Sequence, residues 1–172
     1  CRGERLMVVK NNYLFSARVK GLDFIANGDM AVVETIHGTE EIYGFRFADV
    51  TISLPDRDIS LDVKLLLDTL ASEAPALEHD RFSQLYERLL NDPDLFTPTT
   101  PMRTRMRMLR SDPYLNALQV KYAYAVTCHK AQGGQWPNVY VDLGFMPAES
   151  DPLERLRWLY TAVTRATSRL FI

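Results

Sequence analysis

The stretch Tyr122-Ala123-Tyr124-Ala125-Val126-Thr127-Cys128-His129-Lys130-Ala131-Gln132-Gly133-Gly134-Gln135-Trp136-Pro137-Asn138-Val139-Tyr140-Val141-Asp142-Leu143 decides the reading of the chain. Residues 122–126 read as a strand with small residues on one face, and residues 139–143 as a second apolar strand. Between them lies a polar loop that mixes hydroxyl, imidazole, ammonium and amide groups with two glycines. Loops at the carboxyl ends of sheet strands are where open α/β folds hold ligands. Glycine lets backbone come close to a phosphate or sugar, and Thr127 and His129 can donate to phosphate oxygens. Each residue also has a plainer reading. A lone His129 can be structural, and Gly133-Gly134 can simply close a turn. The combination is what a plain loop does not need.

Working outward, residues 152–166 form the clearest helical pattern, with Leu153, Leu156, Tyr160 and Val163 on one stripe. Residues 170–172 begin another strand, so this third of the chain alternates strand, helix, strand, the α/β pattern. Arg165 falls roughly 160° from Val163 around the helix and points away from that stripe. It is either a solvated arginine at a helix C-terminus, where cations are favoured, or a cation aimed into a cleft.

Upstream, residues 6–9 read as a buried strand, broken by Lys10-Asn11-Asn12-Tyr13. Residues 14–59 are β-rich, with Asn27-Gly28-Asp29 as a turn, and suggest a small barrel. In residues 60–71, Leu61, Leu65 and Leu66 recur at helical spacing, with a strand start as the alternative. Residues 80–90 predict a helix capped by Asp80 and stopped at Asp92-Pro93, and residues 91–101 read as a linker. Residues 102–110 hold four arginines and no acid: a solvated helix face or a phosphate-contacting one. Ser111-Asp112-Pro113 reads as the start of a short helix ending near Leu118.

The 172 residues, 47% hydrophobic and 24% charged, suit a globular fold, and the net charge of −2 means that any nucleic-acid footprint must be local. Cys1 and Cys128 are no disulfide framework, and the three histidines lack zinc-ligand spacing. No apolar run approaches the ~18 residues of a membrane span. The absent initiator methionine and the strand-like last residues suggest a piece of a longer polypeptide. No Gly-x-x-x-x-Gly-Lys-Ser/Thr loop and no strand ending in Asp-Glu occurs in the chain.

Residues 127–133 and 160–166 together resemble the last two motifs of superfamily 1 helicases of the UvrD/RecD-like kind. The opening Gly3-Glu4-Arg5-Leu6-Met7, with Lys10-Asn11-Asn12-Tyr13 and Asn27-Gly28-Asp29, is similar to that family's segment after its fourth motif. The resemblance implies an α/β fold: the second lobe of a RecA-like P-loop NTPase, partial, with an inserted small SH3-like β-barrel. It assigns residues 1–20 and 111–172 to the lobe and 21–110 to the insertion with its helical extension.

It further implies the C-terminal motor lobe of an ATP-dependent 5′-to-3′ DNA helicase. Arg165 is then the catalytic arginine finger, and Gly133, Gln135 and Tyr160 lie with it at the ATP site. Gln135 departs from the glutamate that many relatives carry. Asn12, Tyr13, Thr127 and His129 would contact single-stranded DNA. ATP and Mg2+ would be held mainly by an N-terminal motor lobe of the same protein, leaving this piece inactive alone and without a cofactor of its own. A cytoplasmic setting, a part in DNA repair and a protein partner for the barrel are also implied. One rival is a binding module derived from such a lobe. Another is a thiol hydrolase using Cys128 with His129, but neighbours on an extended chain point to opposite faces.

Overall fold

The computed structural model describes residues 1–144 and 151–172, in two compact units, residues 1–124 and 125–172. In the first unit five strands close a barrel in the order β1 (Arg5–Val8), β2 (Met30–Ile42), β3 (Phe45–Leu54), β4 (Ile59–Leu66) and β5 (Leu118–Tyr122). All neighbours pair antiparallel except β4 and β5, which run parallel with Leu65 opposite Leu118. Alternation along β3 and β4 points Val50, Ile52, Leu61, Val63 and Leu65 inward, where Val8, Ile25, Leu118 and Val120 meet them. The β2–β3 hairpin turns on Tyr43 and Gly44, both at positive φ (56° and 69°), the pairing that a primed two-residue turn needs. Gly28 alone takes positive φ (99°) in the expected turn at residues 27–29, and the Asp29 carboxylate accepts from the Ala26 N–H at 2.8 Å.

The parallel β4–β5 pair requires a long crossover, and three helices fill it: α1 (Asp68–Ala71), α2 (His79–Leu90) and α3 (Met102–Leu109). Leu85, Leu89, Phe96 and Leu109 pack with Phe45, Phe47 and Leu66 into a second core outside the barrel. Thr69, fully buried, sits where the crossover leaves the wall. Its hydroxyl lies 2.8 Å from the Leu66 carbonyl and accepts from the Val120 N–H at 3.2 Å.

Several expectations shift. The barrel takes β1 from the first block and β5 from the last, so the unit boundary falls after Tyr124 rather than separating 1–20 and 111–172 from 21–110. The open edges of β2–β3–β4 need partners, and β1 and β5 supply them. Residues 113–118 are not helical. The Asp112 carboxylate accepts from the Tyr114 and Leu115 N–H groups, both at 2.9 Å, and holds a turn that feeds Leu118 into the wall. The strand expected at 122–126 accordingly lies earlier and ends at Tyr122. Residues 60–71 resolve as β4 followed by α1, and α2 starts at His79 without a side-chain cap.

In the second unit, β6 (Trp136–Tyr140), α4 (Pro152–Val163) and β7 (Ala166–Phe171) form a β-α-β unit with β6 and β7 parallel. The Asp151 carboxylate caps α4 through the Leu153 N–H at 3.1 Å, with Pro152 in the first turn. The stripe expected to be core is largely exposed. Leu153, Leu156 and Tyr160 face solvent, and Ala162 is the buried residue of α4. A two-stranded sheet offers a helix too little surface to cover such a stripe. No helix among the described residues is long and apolar enough to cross a membrane.

Candidate functional site

The loop between β5 and β6 is built from successive tight turns. The Thr127 carbonyl accepts from the Ala131 N–H (3.1 Å), the His129 carbonyl from Gln132 (3.3 Å) and the Ala131 carbonyl from Gly134 (3.1 Å). Ala131 is buried beneath them. Gly133 stands at φ 86° with open space where a side chain would begin, so backbone conformation explains it. Gly134 has a different cause: a Cβ there would meet the Trp136 ring at 2.3 Å.

These turns leave the loop's polar side chains outward. Thr127, His129, Lys130, Gln132 and Gln135 are exposed, and no other described residue hydrogen-bonds or ion-pairs with their side chains.

Arg165 lies just past the C-cap Thr164. Its guanidinium spans the end of α4 and the loop. Nε donates to the Thr161 carbonyl, one terminal nitrogen to the Gly134 carbonyl and the other to the Thr164 hydroxyl, each at 3.0 Å. All three acceptors are neutral, and among the described residues no carboxylate pairs with the guanidinium. Of five N–H donors, three are engaged by described residues. A half-buried, positioned, unneutralised guanidinium can accept an anion at little further ordering cost. The Arg165 carbonyl also accepts from Trp136 N–H at 2.9 Å, so the same residue fixes the start of β6.

Cys128 gives its thiol hydrogen to the Trp158 carbonyl at 3.4 Å. Burial pushes the thiol up, against the lowering charge of Arg165. A thiol held protonated is a poor nucleophile, which argues against the hydrolase reading.

The other expected site residues fall as follows. Tyr160 is 71% exposed and makes no ring contact with Arg165. Tyr13 is 63% exposed, its ring set against Phe24 with centroids 5.4 Å apart. Asn12 departs from its expected role. At 7% exposure, its amide donates to the Asn116 carbonyl (2.7 Å) and accepts from the Leu14 and Phe15 N–H groups. It is an internal strut, spent on folding the segment that presents Tyr13.

Sequence reasoning missed two features. Tyr122 and Tyr124 form an exposed stacked pair with centroids 6.2 Å apart, and the Tyr124 hydroxyl donates to the Glu4 carboxylate. Their spacing of two on extended chain was the available signal. The Trp136–Gly134 contact had none beyond the proximity of the two residues. Among the described residues no cluster of His, Cys, Asp or Glu could hold a metal ion.

Residues 122–172 match the family model of the UvrD-like helicase C-terminal domain. An uncharacterized protein of Acanthamoeba polyphaga mimivirus is 36% identical over 59 residues, 34% of this chain and 11% of that protein. An uncharacterized protein of Methanocaldococcus jannaschii is 34% identical over 61 residues, 36% of this chain and 5% of that protein. The chain thus covers only a small part of either relative's length. The loop, Arg165 and the β-α-β unit all fall inside the family match, and the recognition made on the two motifs stands: over residues 122–172 the chain is similar to the UvrD-like helicase C-terminal domain.

Proposed function

We propose that this chain is the C-terminal motor region of an ATP-dependent DNA helicase, with 5′-to-3′ polarity implied by the branch it resembles. Residues 125–172 contribute to a RecA-like second lobe, and the closed barrel is its SH3-like insertion. The carrying observation is Arg165, which among the described residues is hydrogen-bonded to neutral oxygens through three of its five donors.

The residues present fit a triphosphate at one point. Arg165 can meet terminal phosphate oxygens, with Gly133, Gln135 and Tyr160 as further candidates at its margin. The nucleotide, with Mg2+, supplies the phosphoryl group whose transfer drives the motor. Both would be held mainly by an N-terminal lobe of the same protein, so this chain alone is expected to be inactive. Arg165 and the 127–137 loop share the Gly134 hydrogen bond, so displacement of the guanidinium would be felt by Thr127 and His129, the residues proposed to grip a single strand. The exposed rings of Tyr13, Tyr122 and Tyr124 can stack bases. Cytoplasmic DNA repair is the setting this reading favours.

The test is nucleic-acid-stimulated ATPase of the whole parent protein, wild type beside Arg165→Ala. Loss of stimulated turnover by about 10³–10⁵, with an unchanged circular dichroism spectrum, is expected of an arginine finger. Turnover that survives the substitution would sink the assignment. The second reading, a binding module without motor activity, draws on the self-contained barrel with its own core. A parent protein with no ATPase would select it.

A further inference from the structure

Helix α3 is not accounted for by the motor reading. It carries Arg103, Arg105, Arg107 and Arg110 without an acidic residue. Arg105 has structural work. It donates to the Thr100, Leu90 and Thr97 carbonyls at 3.1, 3.1 and 2.8 Å and lies over the Phe96 ring, binding α3 to the end of α2. Leu109 is buried on that same side.

The other three arginines stand on the opposite face. At 100° per residue, Arg103, Arg107 and Arg110 fall within about 60° of one another, along roughly 10 Å of helix. Arg110 keeps helical backbone angles as the C-cap (φ −59°, ψ −27°), so the stripe continues through it. All three are exposed, and no other described residue pairs with their side chains.

Four other arginines of the barrel unit are engaged within the protein. Arg46 and Arg57 pair with Asp68 and Asp29. Arg81 and Arg88 donate to the Gly44 and Tyr43 carbonyls. A solubilising helix face ordinarily mixes both signs. Exposed Met102 and Met106 flank the stripe on one side and Met108 on the other. Arginine suits phosphate through its planar fork, and thioether side chains offer apolar contact to unstacked bases. A duplex hides its bases, so the pairing of chemistries favours a single strand.

We propose that α3 is a second nucleic-acid contact, in which Arg103, Arg107 and Arg110 hold backbone phosphates of a single strand and the flanking methionines lie against its bases. It rests on the reading of this chain as a nucleic-acid binder, but not on the 127–137 loop.

The test is fluorescence anisotropy of the 172-residue chain with a labelled 20-mer of thymidine, over a series of salt concentrations. Three proteins are compared: wild type, Arg103→Gln/Arg107→Gln/Arg110→Gln, and Thr127→Ala/His129→Ala. Glutamine keeps helix propensity. The arginine triple should bind at least tenfold more weakly at low salt. Its log K against log salt slope should be shallower by about 2, at roughly 0.7 per phosphate contact on a single strand. If the triple fails to fold by circular dichroism, Arg107→Gln alone should lower the slope by about 0.7.

Wild-type affinity and slope in the arginine variant overturn the α3 contact. If the loop variant then loses binding, the motor reading survives without α3. Loss in the triple with none in the loop variant supports α3 and removes the proposed grip of Thr127 and His129. Binding of labelled oligo-glutamate, with none of the thymidine 20-mer, assigns the stripe to an acidic protein and overturns the proposal.

Discussion

The barrel unit and the β-α-β unit treat apolar surface in opposite ways. In residues 1–124 two cores enclose nearly every large aliphatic and aromatic side chain of the strands, and Phe45, Phe47, Ile52 and Leu118 are fully buried. In residues 125–172 Leu153, Leu156, Tyr160, Leu170 and Phe171 remain exposed, and among the described residues Ala131 and Ala162 are the buried apolar ones. The first unit spends its sequence on internal packing. The second spends it on presenting groups, among them the unpaired side chains of the 127–137 loop. The family match falls almost wholly on the presenting unit. Side chains kept for function are the ones whose identity a family model can register, whereas many combinations of similar volume fill a core.

Beyond the loss of turnover expected for Arg165→Ala, which is the largest effect, the contrast can be broken by stability measurements. Both tryptophans, Trp136 and Trp158, lie in the second unit, so their fluorescence reports it, while far-ultraviolet circular dichroism is weighted to the barrel. Phe47→Ala should cost about 3–5 kcal/mol in urea titration, because the ring is fully buried against Tyr114 and the α2–α3 core. A cost below 1 kcal/mol would mean that this core is loosely packed.

Gly134→Ala should cost about 1–3 kcal/mol in the tryptophan-detected transition, since the new methyl must displace the Trp136 ring. An unchanged transition and emission maximum would show the ring free to move aside. Leu156→Ala, at 63% exposure, should change stability by less than about 0.5 kcal/mol. A cost of several kcal/mol would place that side chain in a core and erase the contrast.

Much of this was legible from residues alone, and the failures have identifiable causes. The turn at residues 27–29, the helix α2 and the strand-helix-strand order of the last third rest on local chemistry that tertiary structure did not override. Leu61 and Leu65 were ambiguous because a spacing of four is even, so it keeps one face of a strand, and is close to 3.6, so it keeps one face of a helix. Pro113 fits a helix start and a turn equally well, and the Asp112 carboxylate chose the turn.

The join of β1 to β5 across more than a hundred residues has no local signature at all. Nor does the commitment of Asn12 to the Asn116 carbonyl, since an asparagine beside an exposed tyrosine looks the same whether it faces solvent or protein. At the loop, the residue types were readable, but the reason for the second glycine required the position of an indole ring.

The parallel seam between β4 and β5 has one more consequence. Closing a loop costs entropy that grows only with the logarithm of its length, about 0.6 kcal/mol for each doubling. A seam that already demands a long crossover is therefore a cheap place to add chain. Thr69 pins the exit to Leu66 and Val120, and α2 and α3 stay tied to the wall through Phe45, Phe47 and Leu66. The connections between α1, α2 and α3 can lengthen or shorten over generations while the helices keep their packing on the barrel, so this seam is where relatives of this chain should differ most in size.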